Sequence, residues 1–255
     1  MSETLVCIHG MWSKPSVWEG FKQQMQDQGH TVHCPALPFH DSLETQQGIA
    51  IGEISLQNYI DFVVAFVQAL DTPVTLVGHS MGGMIVQSVA QQLSLKNLIL
   101  LNPAAPAGVF AFRPSVLRLF FFHLTKWGFW RKPIQLSWKE ARWGVFNHVP
   151  EEDARRHYAD QLPESGRAAA EIAFWFLDRQ RTTAVDFDQV QCPVLVIGAE
   201  HDRIVPASVC RSVARRYANA RYHEIKGSGH WTLEGAPLQK IIPLSVNAMS
   251  EACQK

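Results

Sequence analysis

The sequence predicts an α/β protein: a mostly parallel sheet of about six strands with helices on both faces, interrupted by a helical insertion. Three observations carry this. Short β-branched runs alternate with longer stretches of helical period in the first 104 residues and again from residue 192. The strand-like runs are apolar throughout, as in a sheet covered on both faces. Between the two halves lies a long segment with helical periodicity alone.

Taken in order, "TLVCIHG" (4–10) reads as the first strand and residues 15–28 as a helix. "TVHCPALP" (31–38) follows as a strand, "LQNYIDFVVAFVQAL" (56–70) as a helix and "PVTLVGHS" (73–80) as a strand. "GGMIVQSVAQQL" (82–93) is helical and "NLILLNPA" (97–104) extended. Residues 105–185 give no strand pattern, yet they hold 14 of the 22 Trp and Phe residues. The rhythm resumes with "CPVLVIGAEHD" (192–202), a helix over 207–218, "ARYHEIKGSGH" (220–230) and a last helix over 234–251. There are no repeats or low-complexity linkers. The expected organisation is a core of residues 1–104 and 186–255 with a helical cap, or lid, at 105–185.

Composition narrows the function classes. Lys plus Arg (23) balances Asp plus Glu (23), and 47% of residues are hydrophobic. That is a globular chain with no nucleic-acid partner. The five cysteines lack CxxC spacing, so reduced thiols in the cytoplasm are expected, with no disulfide framework and no metal site. The N-terminus carries no secretory pattern. "LFFFHLTKWGFW" (119–130) is bracketed by Arg118 and Arg131, too short for a spanning helix of about twenty residues.

The chemistry gathers at strand ends. Gly78-His79-Ser80-Met81-Gly82 fits G-x-S-x-G between a strand and a helix, the setting of a nucleophile elbow. A serine hydroxyl is a weak nucleophile, so it needs a base held in one tautomer by an acid. Asp202 follows the strand "PVLVIG" and His230 follows the next strand, giving the chain order Ser, Asp, His. Gly227 and Gly229 predict a mobile loop that swings His230 over Ser80. Glu200 and His201 crowd Asp202 but supply no metal-ligand spacing. His79 and His9 read as structural. Developing negative charge needs backbone donors, which Met81 and Met11 are placed to supply, and Trp12 is expected in the pocket wall.

These motifs together resemble the α/β-hydrolase superfamily, in particular small bacterial serine esterases and lipases: an H-G-x loop, a G-H-S-M-G-G elbow, a D-x-x-V-P acid loop and a late G-H, spanning residues 8–231. The resemblance implies Ser80 as nucleophile, His230 as base, Asp202 as orienting acid and the amides of Met11 and Met81 as oxyanion hole. It implies a sheet lacking the family's first two strands, cofactor-free cleavage of a small-molecule carboxylic ester and an acyl-enzyme intermediate. Other reactions on the same triad stay open: carbon–carbon hydrolysis, perhydrolysis, and hydroxynitrile cleavage with a cap lysine (Lys126, Lys132 or Lys139). A slow-turnover small-molecule receptor is the alternative of another class.

In the cap, Leu117, Phe120, Phe121 and Leu124 recur at i, i+3, i+4 and i+7, which predicts one buried helix face. Phe122, Trp127, Phe129 and Trp130 fall outside that stripe. Trp12, Phe120, Phe121, Leu124 and Trp127 are the expected lining of an apolar, lipid-like acyl pocket. Residues 106–145 carry seven Lys or Arg against the single acid Glu140, so a weak membrane-surface contact is a second expectation. No oligomeric state is legible.

Overall fold

The computed structural model describes residues 2–111 and 113–252. Its strands are β1 (Thr4–Ile8), β2 (Thr31–His33), β3 (Val74–His79), β4 (Asn97–Leu101), β5 (Pro133–Ile134), β6 (Glu164–Ser165), β7 (Val194–Ala199) and β8 (Ala220–Ile225). The helices are α1 (Glu19–Gln26), α2 (Leu56–Ala69), α3 (Met81–Ala90), α4 (Pro114–Leu124), α5 (Trp138–Gly144), α6 (Glu151–Ala159), α7 (Gly166–Ala173), α8 (Ala207–Ala214) and α9 (Gly235–Ala252).

Six strands form one parallel sheet in the order β2-β1-β3-β4-β7-β8. Strand alternation divides its side chains between two cores. Val6, Ile8, Leu76, Leu98, Leu100 and Val196 pack under α2, α3 and α8. Leu5, Cys7, Val77, Ile99, Leu101 and Ile197 pack against Trp18, Phe21 and Met25 near α1 and Leu238, Ile241 and Ile242 of α9. Both faces are therefore covered over the central strands β1, β3, β4 and β7, as their unbroken apolar runs require. β2 stops well short of the expected 31–38, because Pro35 and Pro38 have no N–H to donate to a ladder.

β2 lies on one side of β1 and all later strands on the other, so the strand order reverses between β1 and β3. In open α/β sheets that reversal opens a crevice at the strands' carboxyl ends, where ligands bind. The described residues between β4 and β7 add no strand to this sheet. They form α4 to α7 and, contrary to the all-helical expectation, the antiparallel pair β5–β6, with rungs Pro133↔Ser165 and Ile134↔Glu164. Two rungs are too few to leave a periodic trace in sequence.

The insertion has its own core, in which Leu119, Ile134, Leu136, Ala141, Val145 and Phe146 pack with Trp12 and Trp231 of the sheet unit. Buried polar tethers fix it further. Glu164, fully buried, accepts from Tyr59 Oη at 2.9 Å and pairs with His40 Nε2 at 3.1 Å. Glu171 accepts from Leu56 N at 2.7 Å and Ser55 Oγ at 2.8 Å, at the N-terminus of α2. Among the described residues no helix is long and apolar enough to cross a membrane.

Candidate active site

Ser80 sits between β3 and α3 with φ 54° and ψ −120°, a conformation that only a tightly held non-glycine residue keeps. The hold is visible. Ser80 N donates to Leu101 O at 3.1 Å, and its carbonyl accepts from Ala104 N at 2.8 Å. Ser80 occupies the cap position of α3 without making a side-chain cap, so its hydroxyl stays available. The glycines of the motif serve close approach: a Cβ on Gly78 would lie 2.5 Å from Gly82 O, and one on Gly82 would collide with the carbonyls of Ile8 and His9.

The structure brings three side chains from three strand ends together. Ser80 Oγ lies 3.0 Å from His230 Nε2, and His230 Nδ1 lies 2.7 Å from Asp202 Oδ2. Asp202 follows β7; its Oδ1 accepts from the amides of Ile204 at 2.7 Å and Val205 at 2.8 Å. Those amides satisfy one carboxylate oxygen and leave the other for the imidazole. Since a carboxylate only accepts, Nδ1 carries the proton, and Nε2 is left to accept from the Ser80 hydroxyl.

The His230 loop is pinned where its glycines predicted mobility. Ser228 O accepts from His201 N at 2.8 Å, and Ser228 Oγ donates to Ile225 O at 2.9 Å. Gly229 packs so closely on Asn147 of the insertion that a Cβ there would collide with its side chain. The His230 carbonyl accepts from Asn102 Nδ2 at 2.9 Å and from His79 Nε2 at 3.1 Å. Burial, reinforced by the neighbouring His230, pulls the His79 pKa down to about 3, so its ring is neutral and Nε2 bears the hydrogen. His9 is likewise neutral, its pKa pulled down to about 3 by burial and the charge of His40; it accepts from Leu37 N at 3.2 Å. Asn102, with φ 44° at the end of β4, is a site residue that sequence reasoning missed. An Asn after a strand end was its only signal, since Asn tolerates left-handed backbone better than most residues.

Met11 and Met81 both border the cavity over Ser80. Met81 opens α3, so its N–H is one of the orphan donors at a helix N-terminus, aimed where an anion would sit. Trp12 has φ 61° and is buried behind the cavity wall, a correction to its expected place in that wall. It stacks on Phe120 at 6.2 Å and donates from Nε1 to Ile134 O at 3.0 Å, while its carbonyl accepts from Leu162 N at 3.1 Å. The Met11 loop is thus tied to the insertion.

The cavity over Ser80 has a volume of about 110 Å³. Its wall is aliphatic and aromatic apart from Ser80 and His123, and includes Phe120, Leu124, Phe129, Ile172 and Phe174. Of the expected lining residues, Phe120 and Leu124 are on this wall, whereas Phe121 and Trp127 point to solvent at 57% and 87% exposure. The predicted stripe fails as a buried face because α4 presents apolar residues on several sides. Leu119, off the stripe, is the one packed on Gly144, while Leu117 and Phe121 stay exposed. Lys126, Lys132 and Lys139 are not on the described wall. Glu200 accepts from Lys226 Nζ at 3.3 Å and from the Gly227 amide at 3.0 Å.

The chain is 21% identical over 219 residues to "Putative esterase/lipase 3" of Mycoplasma pneumoniae, covering 84% of this chain and 74% of that one. It is 26% identical over 104 residues to a carbendazim hydrolyzing esterase of Nocardioides sp., covering 40% and 42% of the two chains. Among solved structures it is similar to a pyrethroid hydrolase of Sphingobium faniae JZ-2, with TM-score 0.75, 17% identity and both chains fully covered. It is also similar to an extracellular alpha/beta-hydrolase of a Paenibacillus species, with TM-score 0.72, 21% identity and 96% and 98% coverage. The profile of the Alpha/beta hydrolase family matches residues 5–243, and the chain belongs to that family.

Proposed function

We propose that the protein is a serine carboxylic-ester hydrolase working through an acyl-enzyme. The observation that carries this is the unbroken line from Ser80 Oγ through His230 to Asp202, at 3.0 and 2.7 Å. Family members named as esterases and lipases support ester cleavage as the reaction class.

In this reading Ser80 Oγ attacks the ester carbonyl while His230 Nε2 takes its proton. The carbonyl oxygen, now anionic, sits between the amides of Met11 and Met81, each donor contributing about 3 kcal/mol to lowering the barrier. His230 then gives the proton to the leaving alkoxide, and the alcohol departs. A water molecule, deprotonated by the same nitrogen, attacks the acyl-Ser80 ester, and the acid leaves as His230 returns the proton to Ser80 Oγ. Asp202 keeps the imidazole in the productive tautomer throughout and balances its transient charge.

Residues 105–185 act as the cap that completes the pocket, and residues 1–104 with 186–255 as the catalytic body. The cavity is smaller than an engineered apolar cavity of about 150 Å³ that takes up benzene. That points to a compact apolar acyl or aryl group instead of a long chain. The compartment proposed with this reading is the cytoplasm, on the odd number of cysteines and their lack of CxxC spacing.

The test is steady-state hydrolysis of p-nitrophenyl acetate, butyrate, octanoate and palmitate by the wild type and Ser80→Ala. The reading expects butyrate to be the best substrate and Ser80→Ala to lose at least about 10³-fold in kcat. Full activity in Ser80→Ala removes the mechanism; palmitate as the best substrate removes the compact pocket.

A further inference from the structure

Ten large apolar side chains are exposed among the described residues, and eight of them belong to the insertion. Five lie on α4 and the turn that follows it: Leu117 (46% exposed), Phe121 (57%), Phe122 (65%), Trp127 (87%) and Trp130 (39%). Four of them form two ring pairs. Phe121 meets Phe122 edge-on at 5.6 Å, and Trp127 meets Trp130 at 5.3 Å. A cluster of this kind on a surface marks a docking site, whereas single exposed apolar residues do not.

The charges on α4 and the turn itself are basic. Arg113, Arg118, Lys126, Arg131 and Lys132 are all exposed along the same stretch. Arg118 lies over the Trp143 ring at 4.5 Å, and Lys132 Nζ donates to Trp127 O at 3.0 Å. Acids lie at its edge, and Glu171 and Asp178 share a groove with Trp130. Glu53 pairs with Arg131 at 3.1 Å, and Glu140 is engaged with Ser137 at the start of α5. Aromatic rings flanked by Lys and Arg match the boundary of an anionic bilayer, where rings settle at headgroup depth and cations meet lipid phosphates. A second copy of the chain fits poorly, because a twofold contact would set the same cations against each other.

The patch is continuous with the site. Leu117 is half exposed yet belongs to the cavity wall with Phe120 and Leu124, so the patch borders the cavity mouth. We propose that α4 and the turn after it dock on an anionic lipid surface and set the cavity mouth against the bilayer, so that apolar substrate enters from the lipid phase. Docking is independent of the ester chemistry; only substrate delivery rests on that reading.

The experiment is vesicle flotation of the full chain with phosphatidylcholine alone and with about 30% phosphatidylglycerol, at low and physiological salt. The expected result is at least about 10-fold tighter binding to the anionic vesicles, weakened several-fold by salt. Phe122→Asp and Lys126→Glu should each reduce that binding about 10-fold and leave hydrolysis of a water-soluble ester unchanged. Equal binding to both vesicle types, binding to neither, or indifference to both substitutions overturns the proposal. So does a concentration-dependent dimer that Phe122→Asp dissolves. A wild-type chain that hydrolyses esters through Ser80 but binds no vesicles ends the docking proposal alone, whereas vesicle binding by a wild-type chain without ester activity ends the functional reading alone.

Discussion

Two donors hold the His230 carbonyl, and removing them singly and together probes how the base is positioned. In Asn102→Ala the 2.9 Å bond from Asn102 Nδ2 goes, but His79 Nε2 still donates to the same oxygen. The loss is that bond, about 1 kcal/mol, the longer 3.3 Å bond from the same Nδ2 to Thr232 Oγ1, and about 1 kcal/mol for placing Ala where φ is 44°. His79→Phe costs about 1 kcal/mol for its bond, again with a donor remaining. The double variant leaves a buried carbonyl with neither donor, a further penalty of about 1–3 kcal/mol that neither single change incurs. A coupling of about 1–2 kcal/mol is therefore expected. Each single variant should lose about 3–10-fold in kcat/KM and the double variant at least about 100-fold. Urea unfolding and p-nitrophenyl butyrate hydrolysis on all four proteins measure it. Additivity to within about 0.5 kcal/mol in both assays refutes the shared-carbonyl account.

Further consequences follow for pH, packing and the pocket. His9 and His79 have folded pKa values near 3, below the ordinary 6.5, so the stability they contribute is present above about pH 6.5 and is lost as pH falls toward 3. For His40, burial pulls downward, but the charge and hydrogen bond of Glu164 outweigh it and leave the pKa raised. That contribution is complete below about pH 6.5 and lost as pH rises through the raised value, so unfolding free energy should peak near neutrality, and His40→Gln should flatten its alkaline limb in urea titrations. If His40→Gln leaves the alkaline limb unaltered, the pair does not tie insertion to sheet in this way. Gly82→Ala forces a Cβ against the Ile8 and His9 carbonyls and should lower kcat at least about 100-fold, measured on protein whose folding is checked by circular dichroism. Ala173→Phe fills the cavity wall and should cost butyrate hydrolysis more than acetate hydrolysis; an unchanged ratio places the acyl group elsewhere.

The sheet was legible because its central strands, β1, β3, β4 and β7, are buried on both faces and announce themselves as unbroken apolar runs. Ser80, Asp202 and His230 were legible for a related reason: each lies at or just beyond a strand's carboxyl end, and strand ends are the one place where sequence position predicts spatial position in a parallel sheet. The insertion was not legible in the same way. α4 carries apolar residues on several sides, so helical spacing alone selected Leu117 and Phe121, while burial belongs to Leu119 through its contact with Gly144. Trp12 looked like a wall residue from its distance to Met11, but its indole turns to Ile134, more than a hundred residues later in the chain. The partners of the His230 carbonyl, His79 and Asn102, depend on loops meeting in three dimensions. The mobile loop read from Gly227 and Gly229 is held instead, because the glycine at 229 makes room for Asn147.

The central claim is that Ser80 carries the acyl group. Reaction with a fluorophosphonate, followed by intact-mass and peptide mass spectrometry alongside residual esterase activity, tests it most directly. The account predicts one adduct per chain, on the peptide containing Ser80, formed in proportion to lost activity and absent in Ser80→Ala. Inactivation with the adduct on another residue, or ester hydrolysis that persists in fully Ser80-labelled protein, would contradict it.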